Sequence, residues 1–238
     1  MRSIGFDQLD SVIRGRPGDG IDVFLFDCDR GTPPAIELDA DELQRCSRFA
    51  TPLLRRRFRA CHVAKRAVVG RYVEQDPAAL VFVRGRFDKP LLHGGELHFN
   101  LSHSQQWMML AVANAEIGID CERVDAGLDF VALLPTVAHR DERIADRGVF
   151  FRVWARKEAV LKQLGLGFQL SPERVCVPDA ADRLDEWQPV RADTATMPLV
   201  RDLPAPEGFV SALSAAAPAP IRVFQLLAER QRERNALT

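Results

Sequence analysis

The sequence predicts an α+β fold made of two similar halves. Segments that alternate apolar with polar residues, as half-buried strands do, lie on both sides of the midpoint. Each half also carries one long charged helical stretch, so the order strand, helix, strands occurs twice. The 238 residues are enough for one large domain or two small ones with a real core. A hydrophobic share of 47% and a charged share of 27% are ordinary for a globular chain, and a net charge of −1 gives no general pull toward nucleic acid or membrane.

The five cysteines (28, 46, 61, 121 and 176) are odd in number and scattered, with no C-x-x-C pair. That argues against a disulfide framework or a zinc site and for a reducing compartment. The opening "MRSIGFDQLDSVIRGRPGDG" has no apolar core of signal-peptide type. The uncharged run "GFVSALSAAAPAPI" is too short and too Pro-rich to span a bilayer. A soluble, cytoplasmic protein is expected. Only four of the 32 basic residues are lysines (65, 89, 157 and 162). Where Arg is the default cation, a Lys can mark a place that needs a compact point charge.

"IDVFLFDCD" (21–29) reads as an early strand, and "DADELQRCSRF" opens a helix with Asp39 or Asp41 as N-cap. From Arg45 to Arg71 there are nine basic residues and no acid. The stretch is helical in period, with Phe58, Cys61, Ala64 or Lys65, and Val68 or Val69 as its stripe. It reads either as a solvated basic helix or as an anion-binding face. "ALVFVRGRFDKPLL" predicts a hairpin, and "ELHFNLSHSQQWMMLAVANA" predicts two strands around a polar bend. Residues 125–165 read as mostly helical, broken at Pro135 and stopped by Gly165 and Gly167. The rest, to about 227, is strand-like and punctuated by prolines.

Two places carry chemistry. In "IGIDCE", a strand puts Asp120 and Glu122 on one face, where two carboxylates repel unless water or a cation lies between them. In "FFRVWARKEAVLKQLG", Phe150, Val153, Trp154, Leu161 and Leu164 form a buried stripe, and Lys157 takes the position that should complete it. Glu158 and Lys162 follow at i, i+4, which is also the spacing of a plain surface ion pair. Together, Asp120, Glu122 and Glu158, flanked by Lys157 and Lys162, make a hard-oxygen site suited to Mg²⁺ on a pyrophosphate. A Mg²⁺-dependent nuclease or phosphoesterase would use similar groups, but its usual Lys two places beyond the strand carboxylate is Val124 here. A nucleic-acid module built on 45–71 would leave the carboxylates unexplained.

"FNLSHS", "IGIDCE" and "WARKEAVLKQLGLG" resemble the signature motifs of the Sfp-like 4′-phosphopantetheinyl transferases, with G-[IV]-D-x-E followed by W-x-x-K-E-[AS]-x-x-K. From Glu122 to Trp154 is 32 residues, slightly shorter than the family's usual interval. The likeness runs from about residue 20 to 225. It implies two pseudo-symmetric halves, here 1–115 and 116–238, with the active site and coenzyme A in the cleft between them. It further implies that Asp120, Glu122 and Glu158 hold Mg²⁺ or Mn²⁺, and that Lys162, with Lys157 beside it, meets the pyrophosphate. Ser102, His103 and Arg45 would lie near the 3′-phosphate, and Lys89 and Pro90 would line the adenine pocket. Arg66 would add general anion attraction. The implied reaction moves phosphopantetheine onto a serine of an acyl or peptidyl carrier domain, with Glu158 as base and Lys162 stabilising the leaving nucleotide. No nucleic-acid or membrane partner is implied, and two halves in one chain favour a monomer. The sequence departs from the family at Asp88, often Gly there, and at Gly70, where an Arg is common. The acidic F-S-x-x-E of the central linker is also missing around "LPTVAHRDER".

Overall fold

A computed structural model of the chain describes residues 1–85, 89–95, 97–166, 169–180, 183–194 and 196–227. It is a mixed helix and sheet structure. In chain order the elements are β1 (Arg2–Gly5), α1 (Leu9–Val12), β2 (Ile21–Asp27), α2 (Ala40–Ser47), α3 (Pro52–Val73), β3 (Phe82–Arg84), β4 (Pro90–Leu92), β5 (His98–Ser104), β6 (Trp107–Ala113) and β7 (Ile117–Arg123). There follow α4 (Phe130–Val137), α5 (Arg147–Leu164), β8 (Val175–Cys176), β9 (Gln188–Pro189), β10 (Arg191–Ala192), β11 (Leu199–Asp202), β12 (Phe209–Ala215) and β13 (Ile221–Leu227).

Five strands form one sheet in the order β1-β13-β2-β6-β5, and four form a second in the order β7-β12-β11-β9. The last strand, β13, lies parallel between β1 and β2. Sheet membership therefore does not follow a division of the chain at residue 115. Alternation along the strands explains the layering. Phe24, Phe26, Met108, Leu110 and Val112 face α3 in one core. Val23, Leu25, Met109 and Ala111 turn the other way and meet Ile117, Ile119, Cys121 and Leu213 of the second sheet. On the far side of that sheet α5 buries Phe150, Val153, Val160 and Leu161. The order of layers is α3, sheet, sheet, α5.

The local signals behave as their chemistry requires. Asp39 caps α2 by accepting from the Glu42 amide, and Glu42 reaches back to complete a capping box. The predicted hairpin is the antiparallel pair β3–β4; Asp88 lies outside the described residues. The break expected at Pro135 falls two residues later, after Val137, with Ala138 extended. A new N-cap, Asp146, then starts α5 by accepting from the Val149 amide. Gly165 ends α5 at φ 62, while Gly167 lies outside the described residues.

Each long helix is anchored by a fully buried arginine. Arg66 of α3 donates to Glu42, Asp39 and the carbonyls of Pro77 and Leu80. Arg156 of α5 grips Asp202 through two nitrogens and donates to the Pro178 and Asp179 carbonyls. Lys65 joins the first cluster on Glu42 at 2.7 Å, with its ammonium 3.6 Å from the Phe82 ring centroid. Two carboxylates there already balance two cations. Nothing is left to hold a proton on His62, whose Nδ1 lies 2.8 Å from Glu42. Burial pushes His62 down to about 4 despite that contact. Burial alone would raise Glu42, but its bonds to His62, Lys65 and Arg66 win and lower it.

Gly118 sets how closely α5 approaches β7. A Cβ there would stand 2.0 Å from the Ala159 carbonyl oxygen and 2.3 Å from the Gln163 nitrogen. Gly118→Ala is expected to cost about 3 kcal/mol, read as a lowered urea midpoint. The His62 ring carries its own pH signature. Its folded pKa is depressed, so the unfolded chain takes up the proton first, and stability is lost as pH falls from about 6.5 to about 4. The slope approaches roughly 1.4 kcal/mol per pH unit. Urea unfolding of His62→Gln should show a flatter decline across that window.

Candidate active site

The site forms where the edges of the two sheets meet under α5. Edge strand β7 leaves the amides of Ile119, Cys121 and Arg123 without a strand partner, and β5 supplies side chains instead. Asn100 Oδ1 accepts from Ile119 at 2.8 Å, Ser102 Oγ from Cys121 at 3.2 Å, and Ser104 Oγ from Arg123 at 3.1 Å. Each pair is 19 residues apart in sequence, because both strands repeat every two residues. Each serine also donates its single hydroxyl proton to a carboxylate: Ser102 to Asp120 at 2.9 Å, and Ser104 to Glu122 at 3.1 Å. The hydroxyls thus fix the strand edge and the acids together.

Helix α5 brings the other groups. Lys162 Nζ lies 2.5 Å from Asp120 Oδ1 and reaches Ser102 Oγ and the Ile119 carbonyl at 3.3 and 3.4 Å. Glu158, one turn earlier, is close enough to both Asp120 and Lys162 to feel their charges. Burial raises the Glu158 pKa, Lys162 opposes the rise and Asp120 adds to it. Burial, followed by the Asp120 charge, pushes Glu122 up to about 7, against hydrogen bonds from Ser104 and Trp154 and the Lys162 charge. Asp120 is 1% exposed, and its Oδ2 has no hydrogen-bond partner among the described residues. Three crowded hard-oxygen donors with one orphaned buried oxygen fit a hard divalent cation. Their oxygens do not all lie within the 4.8 Å of one another that, among the described residues, His139, Asp141 and Cys176 meet. In that second group Arg191 already bonds both Asp141 and Cys176 and supplies the positive charge.

Beside the acids is a mainly apolar cavity of about 440 Å³, lined by Pro90, Leu101, Val137, Trp154, Leu161 and Leu170, with Lys89, Glu158 and Lys162 on its polar side. Lys89 is tied to Glu116 and the Ile117 carbonyl. On β5, Ser102 and His103 point to opposite sides. Ser102 is buried against Asp120, whereas His103 opens onto a smaller cavity of about 210 Å³ with Arg57, Phe58 and Gln105. Packing around its ring, then the Lys162 charge, lowers the His103 pKa, and Arg45 lowers it further. Arg45 itself sits over the Phe58 ring. Arg45 and His103 are therefore neighbours, while Ser102 belongs with the carboxylates.

Two expectations are revised. Arg66 is wholly buried in the Glu42–Asp39 cluster, with no solvent-facing donor for an incoming anion. Lys157 is also fully buried. Its ammonium meets Glu142 at 2.7 Å, the Val137 carbonyl at 2.6 Å and the Pro172 carbonyl at 3.0 Å. Those three contacts use all three of its protons, which leaves none for a phosphate. Sequence reasoning missed Asn100 and Ser104. The polar residues at i, i+2 and i+4 in "HFNLSHS" were the available signal, since a strand puts them on one face.

Residues 116–193 match the family described as the 4′-phosphopantetheinyl transferase superfamily. The 4′-phosphopantetheinyl transferase HetI of Nostoc sp. is 36% identical over 146 residues, which are 56% of this chain and 62% of that protein. A 4′-phosphopantetheinyl transferase of Bacillus subtilis is 29% identical over 143 residues, again 56% and 62%. The 4′-phosphopantetheinyl transferase gsp of Aneurinibacillus migulanus is 29% identical over 99 residues, 38% of this chain and 40% of that one. The chain thus spans less than two thirds of the length of these relatives. The matched stretch holds β7 with Asp120 and Glu122, and α5 with Glu158 and Lys162. Residues 116–193 are thus similar to the 4′-phosphopantetheinyl transferase superfamily, and the stretch of likeness contains the acidic groups of the site.

Proposed function

We propose that this protein transfers the 4′-phosphopantetheine arm of coenzyme A to a serine hydroxyl of an acyl or peptidyl carrier domain, with a divalent cation, Mg²⁺ by the chemistry of its donors. The convergence of Asp120, Glu122, Glu158 and Lys162 at the rim of the apolar cavity carries this reading. Arg45 and His103 offer positive charge and a hydrogen-bonding ring for the 3′-phosphate, and Lys89–Pro90 border the cavity where the adenine would enter. The methylene and gem-dimethyl groups of the arm would lie against Leu101, Trp154 and Leu161.

Asp120, Glu122 and Glu158 would hold the cation, whose contribution is to neutralise the pyrophosphate of coenzyme A. The serine oxygen of the carrier attacks the phosphorus that bears the pantetheine. The bond from that phosphorus to the bridging oxygen breaks, and 3′,5′-adenosine diphosphate leaves with the electron pair. Glu158 accepts the serine proton; its raised pKa makes it a stronger base than an exposed glutamate. Lys162 places its ammonium where charge gathers on the leaving phosphate. Ser102 and Ser104 hold the acids still, so that no reorganisation is needed during transfer. A Mg²⁺-dependent phosphoesterase would also use the carboxylates, but it gives the apolar cavity nothing to bind.

Intact mass of an apo carrier domain, incubated with the protein, coenzyme A and Mg²⁺, should rise by one phosphopantetheine, and EDTA should prevent the gain. Several unrelated carriers left unmodified, with no heat of coenzyme A binding in calorimetry, would sink the reading. Glu158→Gln should lower transfer by roughly 10²-fold or more while the circular dichroism spectrum stays unchanged. Wild-type turnover in that variant would remove Glu158 from the proton transfer.

A further inference from the structure

Lys157 and Glu142 form a buried pin directly behind the wall of the apolar cavity. The ammonium binds the carbonyl of Val137, the last residue of α4, and that of Pro172, in the turn before β8. Val137 and Pro172 both line the cavity, together with Thr136 and Leu170. Glu142 extends the pin: its carboxylate also accepts the amides of His139 and Val177 at 2.8 and 2.9 Å. One ion pair thus ties the end of α4, the 139–142 turn, the 172 turn and the residue just after β8 to α5, the helix that carries Glu158.

Val137 and Leu170 also pack into the core under α5 and Arg191 holds Asp141, but these wall segments have little regular secondary structure. Pro135 has no amide to donate within α4, and the chain from Ala138 to Asp146 runs without helix or strand. A cationic tripod with every proton used and zero exposure is a rigid fastening, because any displacement leaves a buried charge unpaired. A surface lysine at this position would leave both carbonyls and the Glu142 carboxylate without that partner.

We infer that Lys157, through Glu142, is a positioning residue that holds the Val137–Pro172 wall and so limits how large a group can hang from the arm of the bound coenzyme A. The inference rests on the transferase reading. With the wall pinned, the arm of free coenzyme A fits the cavity, and a thioester carrying an acyl chain must push against Val137, Leu170 or Pro172. With the pin removed, the wall yields and the acyl chain gains room. The substrate class controlled here is acyl-coenzyme A thioesters, as against the free thiol.

The test is a competition. Wild type, Lys157→Met and Glu142→Gln are each given coenzyme A and its hexanoyl thioester together, and the two carrier products are separated by intact mass. The product ratio gives the ratio of kcat/KM values and does not depend on how much of each variant is folded. Lys157→Met should shift the ratio toward the hexanoyl product by about threefold or more, a modest share of what hydrophobic pockets achieve per methylene. Glu142→Gln should shift it the same way by less, since both carbonyl contacts of Lys157 survive. It also carries the test if Lys157→Met does not fold. A ratio within threefold of wild type in Lys157→Met, with only yield or Tm reduced, would make the pin merely structural and overturn the inference. If Lys157→Met does not fold, an unmoved ratio in Glu142→Gln does the same. Failure of the wild type to modify a carrier from either donor would overturn the transferase reading and this inference with it.

Discussion

Three amides on the outer edge of β7 are satisfied by side chains rather than by another strand, and the site depends on that substitution. An edge strand presents a row of unpaired donors, each costly to bury alone. A further strand between β5 and β7 would have answered the need by covering the place where the acids emerge. Asn100, Ser102 and Ser104 answer it with three short acceptors and keep the strands apart. Because a hydroxyl can accept and donate at once, the two serines also fix the orientation of Asp120 and Glu122. The same residues make the junction between sheets and set the carboxylate geometry.

The second constraint is distance. For Lys162 and Glu158 to meet Asp120, α5 must lie almost on the backbone of β7, and Gly118 is the place where it does. So close an approach leaves no room for a side chain at that crossing, and buried cations add fixed points on either side of it. Arg156 and Lys157 on α5 each reach carboxylate and carbonyl partners beneath neighbouring loops. Lys65 and Arg66 do the same on α3. Such pairs add little net stability compared with apolar packing, but they tolerate almost no displacement. That suits a helix whose exposed residues must hold their positions.

Much of this could be read from the sequence, and the limits have physical causes. Periodicity reveals which face is buried, so β5 to β7 and the stripe of α5 were legible. The carboxylate pair and the Glu158–Lys162 turn were legible because spacing alone fixes their faces. The role of Lys157 was not. A lysine within an apolar stripe must find an anion, but its partner Glu142 lies in a segment that reads as helix and is not. Arg66 failed for the same reason. A run of nine basic residues looks like an open anion-binding face, whereas Glu42 and Asp39, from the helix before, fold onto it and neutralise its centre. Charge counts along a chain do not show which charges meet.

The scarcity of lysine has a structural counterpart. Each of the four lysines makes a short contact with a carboxylate: Lys65 with Glu42, Lys89 with Glu116, Lys157 with Glu142 and Lys162 with Asp120. An ammonium can aim three protons at a carboxylate and one or two carbonyls from a single compact point, whereas a guanidinium spreads its donors over a planar fork. Three of the four are buried or nearly so, and Lys162 is the one with a substantial open side, its side chain 29% exposed. That difference sorts their roles. A lysine whose protons are all spent on the protein fixes a wall. One that grips Asp120 while part of its charge still faces the cavity can hold the acid in place and meet a phosphate with the same group.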